Sequence, residues 1–316
     1  MRLIEMLRTM VPSMIRRSHI SWSRVIPLPV LMLMLTGFTL SPSLVPQGAI
    51  LSGGPPKDGI PALTFPKVGP AGLGDTWLKG DDRVLGVEVD GRFRAYPVRI
   101  LNWHEIVNDR IGNKQFVVNY CPLCGSGLVF DTRDQFGVSG LLYQSDVLLY
   151  DRKTESLWSQ LMMQAITGPR MGEMLKTMPV THTSWRAWRT RHPDTTVLSR
   201  HTGYYRDYSR NPYAGYEQSN SIYFPVRNRD ERLHPKTWVI GLELEGASRA
   251  WVISAIKQAG EIHESWNHHD LIIRDREGIV EIVDASSGRR LNGIILYWFA
   301  WAAFHPDTSL YTGKAS

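Results

Sequence analysis

Cys121 and Cys124 are the residues whose types and spacing most clearly suggest chemistry. They lie in the segment Tyr120-Cys-Pro-Leu-Cys-Gly-Ser-Gly127, between two short runs that we predict to be strands, 116–120 and 128–130. A redox pair of the thioredoxin type needs a helix that begins at the first cysteine and lowers the pKa of its thiol. The glycines at 125 and 127 disfavour such a helix. A strand–turn–strand context is typical of a metal knuckle, so we predict that both sulfurs bind one ion.

The remaining ligands must be His, Asp or Glu, or an open position, because the chain has no further cysteine. His104 is our predicted third ligand or general base. Asn102 would cap a short helix with His104 and Glu105 in its first turn, and the strand that follows leads to Cys121. Glu105 and Asp109 would orient an imidazole or face solvent. Thiolates together with imidazole suit copper or zinc.

Three alternatives stay open for these residues. The cysteines could form a disulfide, structural or exchanging, if the compartment is oxidising. They could also be a pair of thiols without a ligand. His104 could be a hydrogen-bonded histidine of the core beside Trp103.

Polar residues interrupt strand-like apolar runs between positions 141 and 160. One interpretation is a pocket, for which the predicted ligand-lining residues are Ser145, Asp151, Ser156, Trp158 and Gln160. The other is a turn at 151–154 that joins two strands, with Trp158 in the core. The candidate catalytic residues are His104, Glu105, Asp146 and Ser159.

The charge of the chain is concentrated in a predicted export signal. The net charge is +6, but residues 1–24 alone carry a charge of +4, so the rest of the chain is close to neutral. This balance argues against a nucleic-acid partner. Arginines followed by an uncharged apolar run predict a signal peptide or N-terminal membrane anchor over 1–49 and therefore an extracytoplasmic location. Residues 50–83 are predicted to be an extended lead-in.

The chain resembles itself in two places. Residues 84–96 match 239–251 at an offset of 155, and each segment predicts a β-hairpin with a glycine in its turn. Trp185-Arg-Ala-Trp and the following His192-Pro-Asp-Thr match positions 298–301 and 305–308 at an offset of 113. We therefore predict an α+β, β-rich protein made by internal duplication. The first copy (84–199) carries an insertion and both cysteines, a Tyr- and Arg-rich connection spans 200–238, and the second, reduced copy spans 239–316.

Several motifs together resemble a known family. The segments AYPVRILNWHEIVND, NYCPLCGSGLVFD, GVSGLLYQSDVLLYDRKTESLWSQ and RDYSRNPYAGY, with the His-Pro-Asp-Thr element, are similar to the family catalogued as domain of unknown function 3179, over about residues 57–311. The resemblance implies an exported or membrane-associated protein and supports the extent of the domain. It implies no particular activity.

These observations predict an extracytoplasmic protein that binds copper or zinc at a Cys-x-x-Cys plus His site, and a metalloenzyme of unknown substrate is one form of this prediction. The alternatives are a thiol–disulfide protein that uses Cys121 and Cys124, and a non-catalytic binding module of the cell envelope. The expected partner is a small molecule or a metal ion, with a possible membrane tether through the N-terminal segment. The common nucleotide motifs and the Cys-x-x-Cys-His motif of covalent haem are missing from the sequence, so neither cofactor is expected.

Overall fold

The computed structural model describes residues 42–313. This part of the chain is β-rich with few helices, as predicted, and its five sheets form a five-bladed, β-propeller-like arrangement. No helix within residues 42–313 is both long and apolar enough to cross a membrane. We number the sheets I to V in the order in which they are described below.

Sheet I is built on the first predicted hairpin, whose turn residues Asp90 and Gly91 both have positive φ (49° and 71°). Its strands are β3 Val68–Pro70, β4 Arg83–Val89, β5 Arg92–Pro97, β14 Val180–Ser184 and β15 Thr196–Leu198, and the helices beside them are α1 Ala71–Asp75, α2 Val98–His104 and α3 Trp185–Arg191. The strand order is β14-β4-β5-β15-β3. The strand β15 runs parallel to β5, and β14 runs antiparallel to β4.

Sheet II contains the strand that leads to the cysteines. Its strands are β2 Leu63–Thr64, β6 Ile106–Ile111, β7 Lys114–Cys121, β8 Ser126–Phe130 and β13 Thr177–Met178. The strand order is β13-β8-β7-β6-β2, and every residue of β7 from Phe116 to Cys121 is buried. Because β7 ends in the core, the cysteine turn that follows is also buried.

Four of the five strands of sheet III lie between residues 136 and 167, in the part of the first copy that we predicted to be an insertion. Its strands are β1 Ile50–Ser52, β9 Phe136–Tyr143, β10 Asp146–Asp151, β11 Leu157–Ser159 and β12 Gln164–Thr167. The strand order is β1-β9-β10-β11-β12. A two-residue turn, Gln144-Ser145, joins β9 to β10.

Sheets IV and V lie in the second half of the chain and have the strand arrangements of sheets I and II without the outer strands β3 and β2. Sheet IV, in the order β22-β16-β17-β23, also has one antiparallel and one parallel strand beside its hairpin. Sheet V is an antiparallel meander, β18-β19-β20-β21. The bounds are β16 Trp238–Leu244, β17 Ala247–Val252, β18 Glu261–Trp266, β19 His269–Arg276, β20 Ile279–Asp284, β21 Arg290–Leu291, β22 Ile294–Tyr297 and β23 Ser309–Tyr311, with α4 Ile253–Ala259 and α5 Trp298–Phe304.

The two halves also pack in the same way around a tryptophan. In the first half the indole of Trp188 lies against Gly86 and donates a hydrogen bond to Thr195 Oγ1 (2.9 Å). In the second half Trp301 lies against Gly241 and donates to Thr308 Oγ1 (2.8 Å). The predicted Trp-containing helices therefore form, and the threonine after each His-Pro-Asp holds the indole N–H.

A second shared contact lies between each hairpin and the strand that follows its helix. Arg94 and Tyr96 both donate hydrogen bonds to Asp109 Oδ2, at 2.7 and 2.8 Å. At positions 155 residues further on, Arg249 and Trp251 both donate to Glu264. Asp109 is therefore an ion-pair partner within sheets I and II, which differs from both roles that the sequence suggested for it.

The N-terminal boundaries differ in part from the prediction. Residues 1–41 of the predicted signal segment lie outside the described residues. Residues 43–49 belong to the fold, because Ser43 forms a β-bridge with Thr167 and Val45 is buried against Leu148 and Ile166. The predicted lead-in, 50–83, contributes one strand to each of three sheets, β1 to sheet III, β2 to sheet II and β3 to sheet I, and it also contains α1. The connection 200–238 has no helix and no strand up to Trp238, where β16 begins.

We expect Gly86→Ala to destabilise the protein, because the added Cβ would lie 2.2 Å from the ring of Trp188, which cannot move aside in a packed core. Overpacking of this kind costs about 1–3 kcal/mol of the free energy of unfolding. Urea unfolding of the purified protein measures the loss. The control is Gly72→Ala, where the exposed Cβ would meet nothing within 4 Å. Equal stability of the two variants would contradict the tight Gly–Trp contact.

Candidate metal centre

The cysteine pair lies at a turn that is fixed on both sides. Cys121 is the last residue of β7 and pairs with Ser126 of β8, so the two strands close around residues 122–125. Gly125 has a φ of 66°, and a Cβ there would lie 2.6 Å from the ring of Trp238. The carbonyl of Cys124 accepts a hydrogen bond from the backbone N–H of Tyr297 (2.8 Å). Glycine is therefore required both for the backbone conformation and for the close approach of Trp238.

The turn between β9 and β10 approaches the cysteines from sheet III. Gln144 and Ser145 both have positive φ (54° and 64°), which is the pattern of a type I′ hairpin turn without its usual glycine. Hydrogen bonds to the connection hold this turn: Gln144 Oε1 accepts from Arg227 N (2.7 Å), and Ser145 Oγ donates to Phe224 O (2.9 Å). The carbonyl of Ser145 faces the sulfurs of Cys124 (3.4 Å) and Cys121 (3.9 Å).

Asp146, the first residue after that turn, completes a cluster with the two cysteines. One carboxylate oxygen and both sulfurs lie within 4.8 Å of one another, and all three residues are buried. Within residues 42–313 this is the one group of three or more His, Cys, Asp or Glu side chains with such spacing. Asp146 Oδ2 accepts hydrogen bonds from Leu161 N (3.0 Å) and Ser159 Oγ (3.5 Å). Its other oxygen, Oδ1, is buried without a hydrogen-bond partner.

The electrostatics of this cluster favour its neutral form unless a cation is present. Burial raises the pKa of both thiols and raises the pKa of Asp146 to about 7. A divalent cation would reverse this preference, because it binds the thiolates and the carboxylate and releases their protons. The donor set of two sulfurs and one carboxylate oxygen is one that zinc uses in proteins.

Glu105 lies close to the cluster without belonging to it. It follows the last residue of α2 with a φ of 57°, and its side chain is buried. Burial raises the pKa of Glu105 to about 8, and the charge of Asp146 contributes to the shift. The hydroxyl of Tyr213 donates a long hydrogen bond to its Oε1 (3.5 Å).

His104 is not brought to the thiols. Its ring nitrogens lie 2.7 Å from Pro61 O and 2.7 Å from the hydroxyl of Tyr208, and burial lowers the pKa of the imidazole to about 4. These contacts are those of the hydrogen-bonded core histidine that the sequence left as an alternative. The predicted start of a helix at Asn102 was wrong, because α2 begins after Pro97 and ends at His104. Asp146 occupies the place in the cluster that we predicted for His104.

The predicted pocket-lining residues of the insertion are all buried and hydrogen-bonded within the fold. Asp151 accepts from Trp158 Nε1 (2.9 Å) and from Thr154 N (2.6 Å). Burial opposes ionisation of Asp151, but these hydrogen bonds lower its pKa. Ser156 Oγ lies 2.8 Å from the Thr154 hydroxyl. Of the two interpretations that the sequence allowed, the contacts are those of a turn between two strands with Trp158 in the core.

Gln160 takes part in a buried polar chain beneath the cysteine turn. Its amide oxygen accepts from Ser126 Oγ (2.5 Å), and its amide nitrogen donates to Asn119 Oδ1 (2.5 Å). Asn119 in turn donates to the carbonyl of Leu128 (3.1 Å). The chain links β11 to β7 and β8, so it fixes sheet III against the strands that carry the cysteines.

The connection supplies residues near the cluster that the sequence reasoning missed. The hydroxyl of Tyr216 is buried without a hydrogen-bond partner, and the charges of both cysteines contribute to a raised pKa of this tyrosine after burial. Lys236 is buried, donates to Ser221 O (2.7 Å), and lies 3.9 Å from the centre of the Tyr216 ring. The one signal for this arrangement in the sequence was the density of tyrosines in 204–216.

A polar cleft of about 340 Å³ lies outside the cysteine turn. Its lining includes Tyr120 and Pro122 of that turn together with Tyr213 and Tyr216 of the connection. The same two connection tyrosines interact electrostatically with the cysteines. The cleft therefore gives solvent a surface directly beside the buried cluster.

The fold and this site define a β-rich protein with a buried centre of two thiols and one carboxylate. The chain belongs to the family described as Protein of unknown function (DUF3179), whose model matches residues 57–290. The resemblance of its motifs to this family is thereby confirmed. No curated protein and no solved structure matches the chain.

In the metal-free protein we expect the free energy of unfolding to fall as the pH rises from about 7 to about 8, above the range in which buried histidines such as His104, whose pKa is lowered to about 4, have the opposite effect. The folded-state pKa values of Asp146 (about 7) and Glu105 (about 8) lie above those of the unfolded chain, so the folded protein binds more protons in this range. Their stabilisation is complete below the unfolded pKa, near pH 4, and is lost as the pH rises through the folded values. Urea unfolding at several pH values measures the slope. Asp146→Asn should reduce it; an unchanged slope in this variant would exclude Asp146 as a source.

Proposed function

We propose that this protein binds one metal ion through Cys121, Cys124 and Asp146. The observation that carries the proposal is the buried, unpaired Oδ1 of Asp146 beside two buried sulfurs. A buried carboxylate oxygen without a partner costs a substantial desolvation free energy, and a bound cation would offset it. The cation would also explain why three groups that lose protons share one small volume.

Zinc is our first choice of metal, and copper is the second. Two thiolates suit either ion, but a carboxylate ligand favours zinc over copper in its monovalent form. Three protein ligands leave one position of a tetrahedral ion open, as in catalytic zinc sites. A water molecule or a substrate could bind at this open position. The proposal therefore includes a metalloenzyme whose substrate binds in the adjacent cleft.

Thiol–disulfide exchange is the second candidate, and the observation in its favour is the Cys-x-x-Cys spacing itself. Attack on a disulfide requires a thiolate that is accessible. Cys121 and Cys124 are buried, with exposed fractions of 1% and 0%, and burial raises the pKa of both thiols. These properties favour metal binding over exchange.

We also propose that the protein is exported and that its two halves arose by duplication. Export is supported by the arginines and the apolar run in residues 1–49. Duplication is supported by the matching strand arrangements and by the contacts that recur at offsets of 155 and 113, such as those of Trp188 and Trp301. In this view the first half alone carries the metal centre, and sheet III was added to it.

Zinc titration of the purified, metal-depleted chain tests the proposed site. We expect one tightly bound zinc ion per chain, and we expect Cys121→Ser and Asp146→Asn each to weaken binding by at least a factor of about ten, because each removes a direct ligand. Asp151→Asn is the matched control, since Asp151 is equally buried at the other end of β10 and lies outside the cluster.

His104→Gln adds a second control, because binding should survive if Asp146 is the third ligand. A mass measurement with and without reductant accompanies the titration. The proposal would be contradicted if the wild-type chain bound neither zinc nor copper and its mass without reductant were two units lower than with reductant. That result would show a Cys121–Cys124 disulfide instead of a metal site.

A further inference from the structure

Glu105 has a backbone conformation that the second half of the chain gives to a glycine. Glu105 follows α2 with a φ of 57°, and Gly260, 155 residues later, follows α4 with a φ of 76°. The hydrogen bonds of the two positions also correspond. Each N–H donates to the carbonyl four residues before it, at 2.7 Å for Glu105 and 2.8 Å for Gly260. Each carbonyl also accepts a backbone hydrogen bond from the second strand after its helix. The donor to Glu105 is Tyr120 N of β7, and the donor to Gly260 is Asp275 N of β19.

A glutamate is an unfavourable residue at this position for two reasons. Positive φ is strained for a residue with a Cβ, and glycine relieves that strain. The residue is also only 6% exposed, so its carboxyl group is removed from most of its hydration. Strain of this kind persists where the surrounding structure requires the side chain, and such positions cluster at functional sites.

The surroundings of Glu105 point to the metal centre. The carbonyl of Glu105 accepts a hydrogen bond from the N–H of Tyr120 (2.8 Å), the residue before Cys121, so Glu105 is held beside the strand that ends in the cysteines. The charge of Glu105 also contributes to the raised pKa of the Cys121 thiol. Glu105 is nevertheless outside the group of side chains whose ligand atoms lie within 4.8 Å of one another, so it is a neighbour of the centre and not one of its three ligands. The hydrogen bond from Tyr213, at 3.5 Å, is long and leaves acceptor capacity on the carboxylate.

We propose that Glu105 is a positioning residue of the metal centre, where it accepts a hydrogen bond from a water molecule in the open coordination position. The inference rests on the proposed metal site and extends it from three protein groups to four. It also accounts for the difference between the halves. The second half has Arg276 and Ile279 at the positions of the two cysteines, so it lacks the thiol ligands of the proposed site. No glutamate is then needed at position 260, and the residue there is the conformationally favourable glycine.

The test compares zinc affinity in the wild type and four variants of the full chain by competition with a chelator. Glu105→Gly should fold, because glycine is favourable at this φ, and its metal-free melting temperature should be no lower than that of the wild type. Its zinc affinity should fall by about 10–100-fold, which is typical when a partner of a metal ligand is removed. Glu105→Gln, which keeps an acceptor oxygen, should lose less. The matched control is Glu277→Gly, since Glu277 has the same φ of 57° but is exposed.

Glu105→Gly with wild-type zinc affinity would overturn the inference, and so would an equal loss in Glu277→Gly. Tyr213→Phe separates the water-binding role from a purely structural anchor for the connection. If Glu105 serves only to hold Tyr213, this variant should lose as much zinc affinity as Glu105→Gly; if Glu105 holds water, it should stay close to the wild type. A wild-type chain that binds no metal would overturn the proposed function and, with it, this inference, whereas normal wild-type binding confines any failure to Glu105.

Discussion

The constraint on which this structure depends is the burial of two thiols and a carboxyl group in one small volume. In water each of these groups would be hydrated, whereas burial in the core raises the pKa of all three and so disfavours their charged forms. The protein can keep them together in two ways, by protonating all three or by binding a cation. The buried Oδ1 of Asp146 favours the second solution, because it has no hydrogen-bond partner in the structure and a cation would bind it directly.

The surrounding fold brings distant segments to this point. Strand β7 of sheet II ends at Cys121, the hairpin of sheet III supplies Ser145 and Asp146, and the connection places Tyr216 and Lys236 nearby. Each approach uses backbone that is constrained locally, by Gly125 in one turn and by two non-glycine residues with positive φ in the other. The hydrogen bonds from Arg227 N to Gln144 and from Ser145 to Phe224 O show how the connection stabilises the strained turn.

Local patterns in the sequence predicted the local parts of this fold. The hairpin at 84–96, its counterpart at 239–251 and the Trp-containing helices follow from alternation and spacing, and all are present. The cysteine turn was also predicted. The third member of the cluster was not, because proximity along the chain favoured His104, whereas α2 ends there and directs its ring to Pro61 and Tyr208. Asp146 reaches the cysteines only through long-range packing of sheet III, for which a single sequence carries no signal beyond the polar residues themselves.

Anomalous X-ray scattering from crystals of the zinc-loaded protein, measured on both sides of the zinc absorption edge, tests the central claim most directly. We predict one anomalous peak per chain, at about 2.3 Å from the sulfurs of Cys121 and Cys124 and about 2.0–2.2 Å from an oxygen of Asp146. A sulfur–sulfur bond between the two cysteines with no anomalous peak beside Asp146 would contradict it.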